Sequence, residues 1–113
     1  TRVGVDGIWV SNHAGRQFDA APSGLSALKA VRAAAGPDMS IIYDGGIESG
    51  LDVLRALAHG ADFTMLGRAW HYGLGAAGAA GARQVLHILS EDMKACMGQM
   101  GIARPEEVRT HLL

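Results

Sequence analysis

The sequence has little of several things, and each shortage removes a class of protein. Its 113 residues contain one cysteine, Cys96. One thiol cannot build an internal disulfide framework or a cysteine-based metal site. The five histidines fall at no spacing that suits a metal, so no metal is expected. There is no basic surplus: Lys and Arg number 10 against 11 Asp and Glu, for a net charge of −1. That balance argues against a nucleic-acid or anionic-membrane surface. Aromatic residues make up 5%, so any core must be mostly aliphatic. No apolar run approaches the roughly 20 residues of a membrane span. No signal peptide is expected, and a first residue of Thr1 rather than Met suggests a chain processed or cut from something longer.

What is plentiful is glycine. Sixteen residues are Gly, about twice the usual ~7% share. Tight turns and close backbone approaches are therefore expected.

Three short apolar runs read as strands: VDGIWV at 5–10, SIIY at 40–43 and DFTML at 62–66. They lack strict alternation, as strands covered on both faces do. Between the first two, Leu25, Leu28, Val31 and Ala35 fall at helical spacing, with Ser23 as a cap and Gly36-Pro37 as a stop. Between the second and third, Leu51, Leu54, Leu57 and Ala58 form another stripe. Ser49 and Asp52 are spaced as a capping box there, and Gly60 sits at the exit beside His59. A Gly/Ala-rich stretch follows the third strand. Beyond it a long stripe runs through Val85, Leu86, Leu89, Met93, Met97 and Met100, which reads as core packing. Pro105, with Glu106 and Glu107 behind it, opens a last short helix.

Strand and helix alternate, and successive crossovers of this kind imply a parallel sheet. Gly4-Val5-Asp6 and Gly60-Ala61-Asp62 lead into strands in the same way. That faint repeat suits a barrel or an open doubly wound sheet.

In such folds ligand groups gather at the carboxyl ends of the strands. The first strand ends on Ser11, Asn12, His13 and Arg16; the second on Asp44, Gly45 and Gly46; the third on Gly67 and Arg68. His13 can move a proton near neutral pH. Arg16 offers a planar fork for a carboxylate or phosphate. The glycines admit close approach to backbone amides, and the helix starting near Ser49 is expected to turn its positive end toward a phosphate. Taken singly, each has a structural reading: a strand-end His, a surface Arg, a tight DGG turn. Their convergence on one end of the sheet is what marks a site.

The three segments SNHAGRQFD (11–19), YDGGIESGLDVLRALAHGAD (43–62) and MLGRAW (65–70), in that order, resemble the FMN-dependent α-hydroxy acid dehydrogenase and oxidase family. Glycolate oxidase, the flavin L-lactate dehydrogenases and mandelate dehydrogenase belong to it. The likeness covers nearly the whole chain. It implies an α/β fold, the C-terminal part of a (β/α)8 TIM barrel, with strands six to eight and their helices, and it makes residues 1–113 a fragment of one barrel domain. It implies FMN as cofactor and a small L-2-hydroxy acid as substrate, oxidised to a 2-keto acid. On that resemblance His13 is the catalytic base and Arg16 grips the substrate carboxylate. Asp44, Gly45, Gly46, Glu48, Gly67 and Arg68 fall on the FMN-binding positions. A homo-oligomer, or association with the missing N-terminal part, is the expected assembly, and a cytoplasmic or membrane-peripheral location the expected setting.

Three departures from the family pattern stand out. Ala14 replaces a usual Gly. Glu48 replaces an Arg that lies against the FMN phosphate, and a carboxylate there is repulsive by about 1–4 kcal/mol at contact. The strands that carry the family's flavin-contacting Lys, substrate-binding Tyr residues and His-orienting Asp fall outside this segment. Two other readings are therefore kept beside the enzyme: an inactive truncated or proteolysed piece that folds by association, and a half-barrel that binds a phosphate ligand for other chemistry.

Overall fold

The structure, a computed structural model, describes residues 4–111. Three parallel strands, β1 (Gly7–Val10), β2 (Ser40–Asp44) and β3 (Phe63–Met65), form one sheet in the order β1-β2-β3. Trp9 pairs with Ile42 and Ile42 with Phe63, so the sheet is in simple sequential register. β1 and β3 are shorter than the apolar runs, residues 5–6, 62 and 66 lying in the flanking turns, whereas β2 runs one residue past SIIY to Asp44.

Helix α1 (Gly24–Ala35) connects β1 to β2, and α2 (Gly50–Ala58) connects β2 to β3. The Ser23 hydroxyl accepts the Ser26 amide and Gly36, at φ 84°, closes the helix, as the sequence indicates. At α2 the Ser49 hydroxyl accepts the Asp52 amide, and the Asp52 carboxylate accepts the Ser49 hydroxyl and the Glu48 amide. His59 ends α2, its Nδ1 set 2.8 Å from the Arg55 carbonyl oxygen.

The Gly/Ala-rich stretch is helical. It belongs to α3 (Arg68–Met100), which is broken at Ala77 and Gly78, where φ/ψ leave the helical region. Gly73 and Gly81 meet across the break so closely that a Cβ on Gly81 would lie 1.9 Å from the Gly73 carbonyl oxygen. Contact at that separation requires the chain to double back. The second limb of α3 then lies along α2, with the Gly50 amide donating to Asp92 at 2.6 Å. A 3-10 helix, Pro105–Thr110, closes against α2.

Two apolar clusters hold these layers together. Leu28, Ile41, Tyr43, Ile47, Ala56 and Ala61 fill the space between the sheet and α1 and α2. Leu54, Met97, Ile102 and Val108 join α2 to α3 and the last turn, with Met93 and Met100 at the margin. Fully burying a side chain such as Leu28, Ile41 or Leu54 contributes about 1.5–3 kcal/mol. Among the described residues, the opposite face of the sheet has no such cover. Trp9 is 58% and Phe63 62% exposed, and they flank Ile42 across all three strands.

The amino end of the sheet is tied by charge. Asp62 accepts the Ile41 amide and both Arg32 and Arg109. Arg32 also donates to the carbonyl oxygens of Gly60, Gly36 and Met39. Burial alone would raise the Asp62 carboxyl, but the Ile41 amide and the two guanidinium groups outweigh it and hold it below the usual range.

Candidate active-site cleft

The carboxyl ends of the three strands open into one cleft of about 1090 Å³. Its wall carries His13, Arg16, Asp44, Gly45, Gly46, Glu48, Gly67 and Arg68, so every sequence-predicted site residue lies on a single concave surface. Trp9, Ser11, Met65 and His71 join them.

Each strand end is shaped by local forces. After β1 the chain turns sharply through His13 and Ala14, both left-handed at φ 53° and 54°, and Gly15 at 77°. Non-glycine residues rarely adopt this conformation. The turn is anchored by a relay: the Asp44 carboxylate accepts the Trp9 indole N–H at 2.8 Å and the Ser11 hydroxyl, and the Ser11 oxygen accepts the His13 amide at 3.1 Å. Asp44 therefore positions the backbone that carries His13. The His13 ring itself has no hydrogen-bond partner among the described residues, nor does any ion pair among them involve Arg16. Both side chains are exposed to the cleft.

After β2 the DGG turn needs its glycines: Gly45 and Gly46 sit at φ 115° and 71°. The Tyr43 hydroxyl donates to the Gly45 carbonyl oxygen at 2.7 Å and braces the turn. Burial, assisted by the neighbouring Asp44 charge, raises the Tyr43 phenol above its ordinary value, so it remains a donor. After β3, Gly67 caps α3 with no side-chain hydrogen bond, and space in front of both Gly46 and Gly67 is open.

One expectation is corrected. The start of α2 is not turned to a ligand: Ser49 and residues beyond it do not line the cleft. Its Gly50 amide donates to Asp92 and its Asp52 amide to Ser49. The helix start that does reach the cleft is that of α3, through Gly67, Arg68 and His71, whose Nδ1 lies 2.9 Å from the Gly67 carbonyl oxygen. Trp9 and His71 were not identifiable from sequence as cleft residues. Trp9 lies inside an apolar strand run with no local signal that sets it against Asp44, and His71 becomes visible only once Arg68 is known to begin a helix.

A parallel βα sheet with its polar and glycine-rich residues at the strands' carboxyl ends defines a barrel-type enzyme scaffold. The sequence matches the FMN-dependent dehydrogenase family over residues 1–113, and the chain belongs to that family. It is 45% identical over 109 residues to an L-lactate oxidase of Alicycliphilus denitrificans, covering 96% of this chain and 30% of that protein. It is 52% identical over 96 residues to an L-lactate dehydrogenase of Actinobacillus pleuropneumoniae, covering 85% and 25% respectively. Among solved structures it is similar to a mandelate oxidase with (S)-4-hydroxymandelic acid, at a TM-score of 0.90 and 42% identity over 96% of this chain and 30% of that one. The chain thus spans a quarter to a third of the proteins it matches, and its three strands with their helices are the C-terminal part of the (β/α)8 barrel.

The cleft fits a flavin mononucleotide in most respects. Its volume suits a group of that size. Arg68 supplies a cation, and Gly46 and Gly67 have open space through which a ligand can reach the backbone. Glu48 is the discordant residue.

Proposed function

We propose that residues 1–113 form part of one FMN-dependent barrel domain that oxidises a small L-2-hydroxy acid to the 2-keto acid. The observation that carries this reading is the meeting of His13, Arg16 and the Gly67–Arg68 helix start in one cleft. FMN, when bound, supplies the two-electron acceptor. Gly45, Gly46, Gly67 and Arg68 would hold its ribityl and phosphate end, with Asp44 beside them. Arg16 presents a fork that can pair with a carboxylate through two hydrogen bonds and fix the α-carbon. His13 takes the proton that the substrate loses, at an imidazole nitrogen unclaimed by any hydrogen bond among the described residues.

The test is His13→Ala in the protein carrying the rest of the barrel. Turnover falls by about 10²–10⁴, while the visible flavin spectrum is kept. Turnover within a few-fold of the parent removes His13 from the role.

The bare sheet face favours a second statement about assembly. Trp9, Ile42 and Phe63 form an apolar layer that, in a closed barrel, other strands would cover. Association of this chain with the remaining strands, or with another copy, follows from that face. Size measurement of the purified chain checks it, and a monomer at high concentration speaks against it.

A further inference from the structure

On the wall of the cleft, two opposite charges face each other. Glu48 follows the DGG turn and Arg68 opens α3. Arg68 Nη2 lies 3.8 Å from Glu48 Oε1, and both side chains are more than half exposed, at 58% and 64%. The Glu48 amide is tied to Asp52, so the backbone is fixed while the carboxylate reaches over the cleft. Arg68 has no other acidic partner among the described residues. The cleft wall as a whole carries two arginines, Arg16 and Arg68, against two carboxylates, Asp44 and Glu48. The amino terminus of α2 does not line the cleft, and Asp92 and Ser49 take its Gly50 and Asp52 amides.

We infer that Glu48 is a built-in counter-ion of Arg68, which occupies the guanidinium in competition with a ligand's phosphate and lowers the preference of the cleft for phosphorylated over unphosphorylated ligands. A guanidinium pairs with a carboxylate or a phosphate through the same N–H groups. A phosphate approaching Arg68 must displace Glu48 or share the site at repulsive distance. Neutral amides at Gly45, Gly46 and Gly67 can donate to a phosphate but cannot replace the positive charge that Glu48 cancels. The pair is solvent-exposed and therefore weak, so the effect is graded. This deepens the flavin reading, since in a flavin the group concerned is the one that distinguishes FMN from riboflavin.

The experiment uses the protein carrying the rest of the barrel, freed of flavin, and its Glu48→Gln, Arg68→Gln and doubly substituted forms. Inorganic phosphate is titrated while amide NMR shifts of Gly45, Gly46, Gly67 and Arg68 are followed. Glu48→Gln binds phosphate roughly five- to tenfold more tightly than the parent, and the gain vanishes when Arg68 is also replaced. Equal affinity, no binding in either form, or a gain that survives Arg68→Gln overturns the inference. FMN and riboflavin are then compared by flavin fluorescence. The ratio of FMN to riboflavin affinity rises by the same factor in Glu48→Gln, with riboflavin unchanged. If neither flavin binds but the phosphate gain is present, the flavin reading fails and the counter-ion holds. If both bind and the ratio does not move, the counter-ion fails and the flavin reading holds.

Discussion

Ala14 shows how one methyl group can be felt at a site. It is left-handed at φ 54°, directly after His13 at 53°. For an L-residue other than Gly this conformation costs about 1–2 kcal/mol. The family's usual Gly at this position has a physical reason in that turn. Ala14→Gly removes the steric cost but gives the unfolded chain more freedom, which returns about 0.4–1 kcal/mol. The net expectation is a gain of up to about 1 kcal/mol in urea unfolding. Ala14→Val, β-branched at the same φ, loses stability in the same assay. A neutral Gly substitution would mean that the relay from Asp44 through Ser11 to the His13 amide, not the residue type, sets the turn.

At the scale of elements, the close contact between α2 and α3 is made possible by a missing side chain. A Cβ on Gly50 would lie 2.1 Å from the Met93 nitrogen, against backbone that cannot yield. Gly50→Ala should therefore cost about 3 kcal/mol or more, at the upper end of overpacking. Gly75→Ala, with nothing within 4 Å of its Cβ, should gain up to about 1 kcal/mol from helix propensity. Paired thermal melts of the two variants check the contrast. The same elements show what was legible. The strands, both capped helices and the Met stripe were, because periodicity and caps are local signals. The fold-back of α3 was not. Its composition favours helix on both sides, and the break depends on Gly78 at φ 56° and on a Gly73–Gly81 contact that exists only after folding. In the site, His13 and Arg16 could be read because their residue types stand at a strand end. The phosphate expectation at α2 failed for an instructive reason. Ser49 and Asp52 were correctly read as a cap, but a cap and a phosphate compete for the same amides. Pairs such as Glu48–Arg68 join positions brought near only by sheet pairing, so neither partner alone announced the contact.

For the whole molecule, the two ends of the sheet divide the labour. The carboxyl end carries the cleft, and the amino end carries Asp62, which joins β2, α1 and the last 3-10 helix through Ile41, Arg32 and Arg109. A carboxyl held low in the folded state binds fewer protons there than in the unfolded chain, over the interval between the two pKa values. Its contribution is therefore complete above the unfolded-state value of about 3.9 and is lost as pH falls through the lower folded-state value. Asp52 has the same sign: burial would raise it, but the Ser49 hydroxyl, the Glu48 amide and Arg55 hold it low. The melting temperature should accordingly be flat from neutral pH down to about 5 as far as these two groups decide it, and fall below about 4. Asp62→Asn separates the contributions. It lowers the melting temperature at pH 7, because Arg32 and Arg109 lose their shared charge, and it makes the acid limb shallower. Since the Asp62 side chain is 40% exposed, solvent screening keeps the loss at pH 7 modest. An acid limb of unchanged steepness in Asp62→Asn would assign the pH dependence to other carboxylates and reduce Asp62 to a hydrogen-bond acceptor for the Ile41 amide.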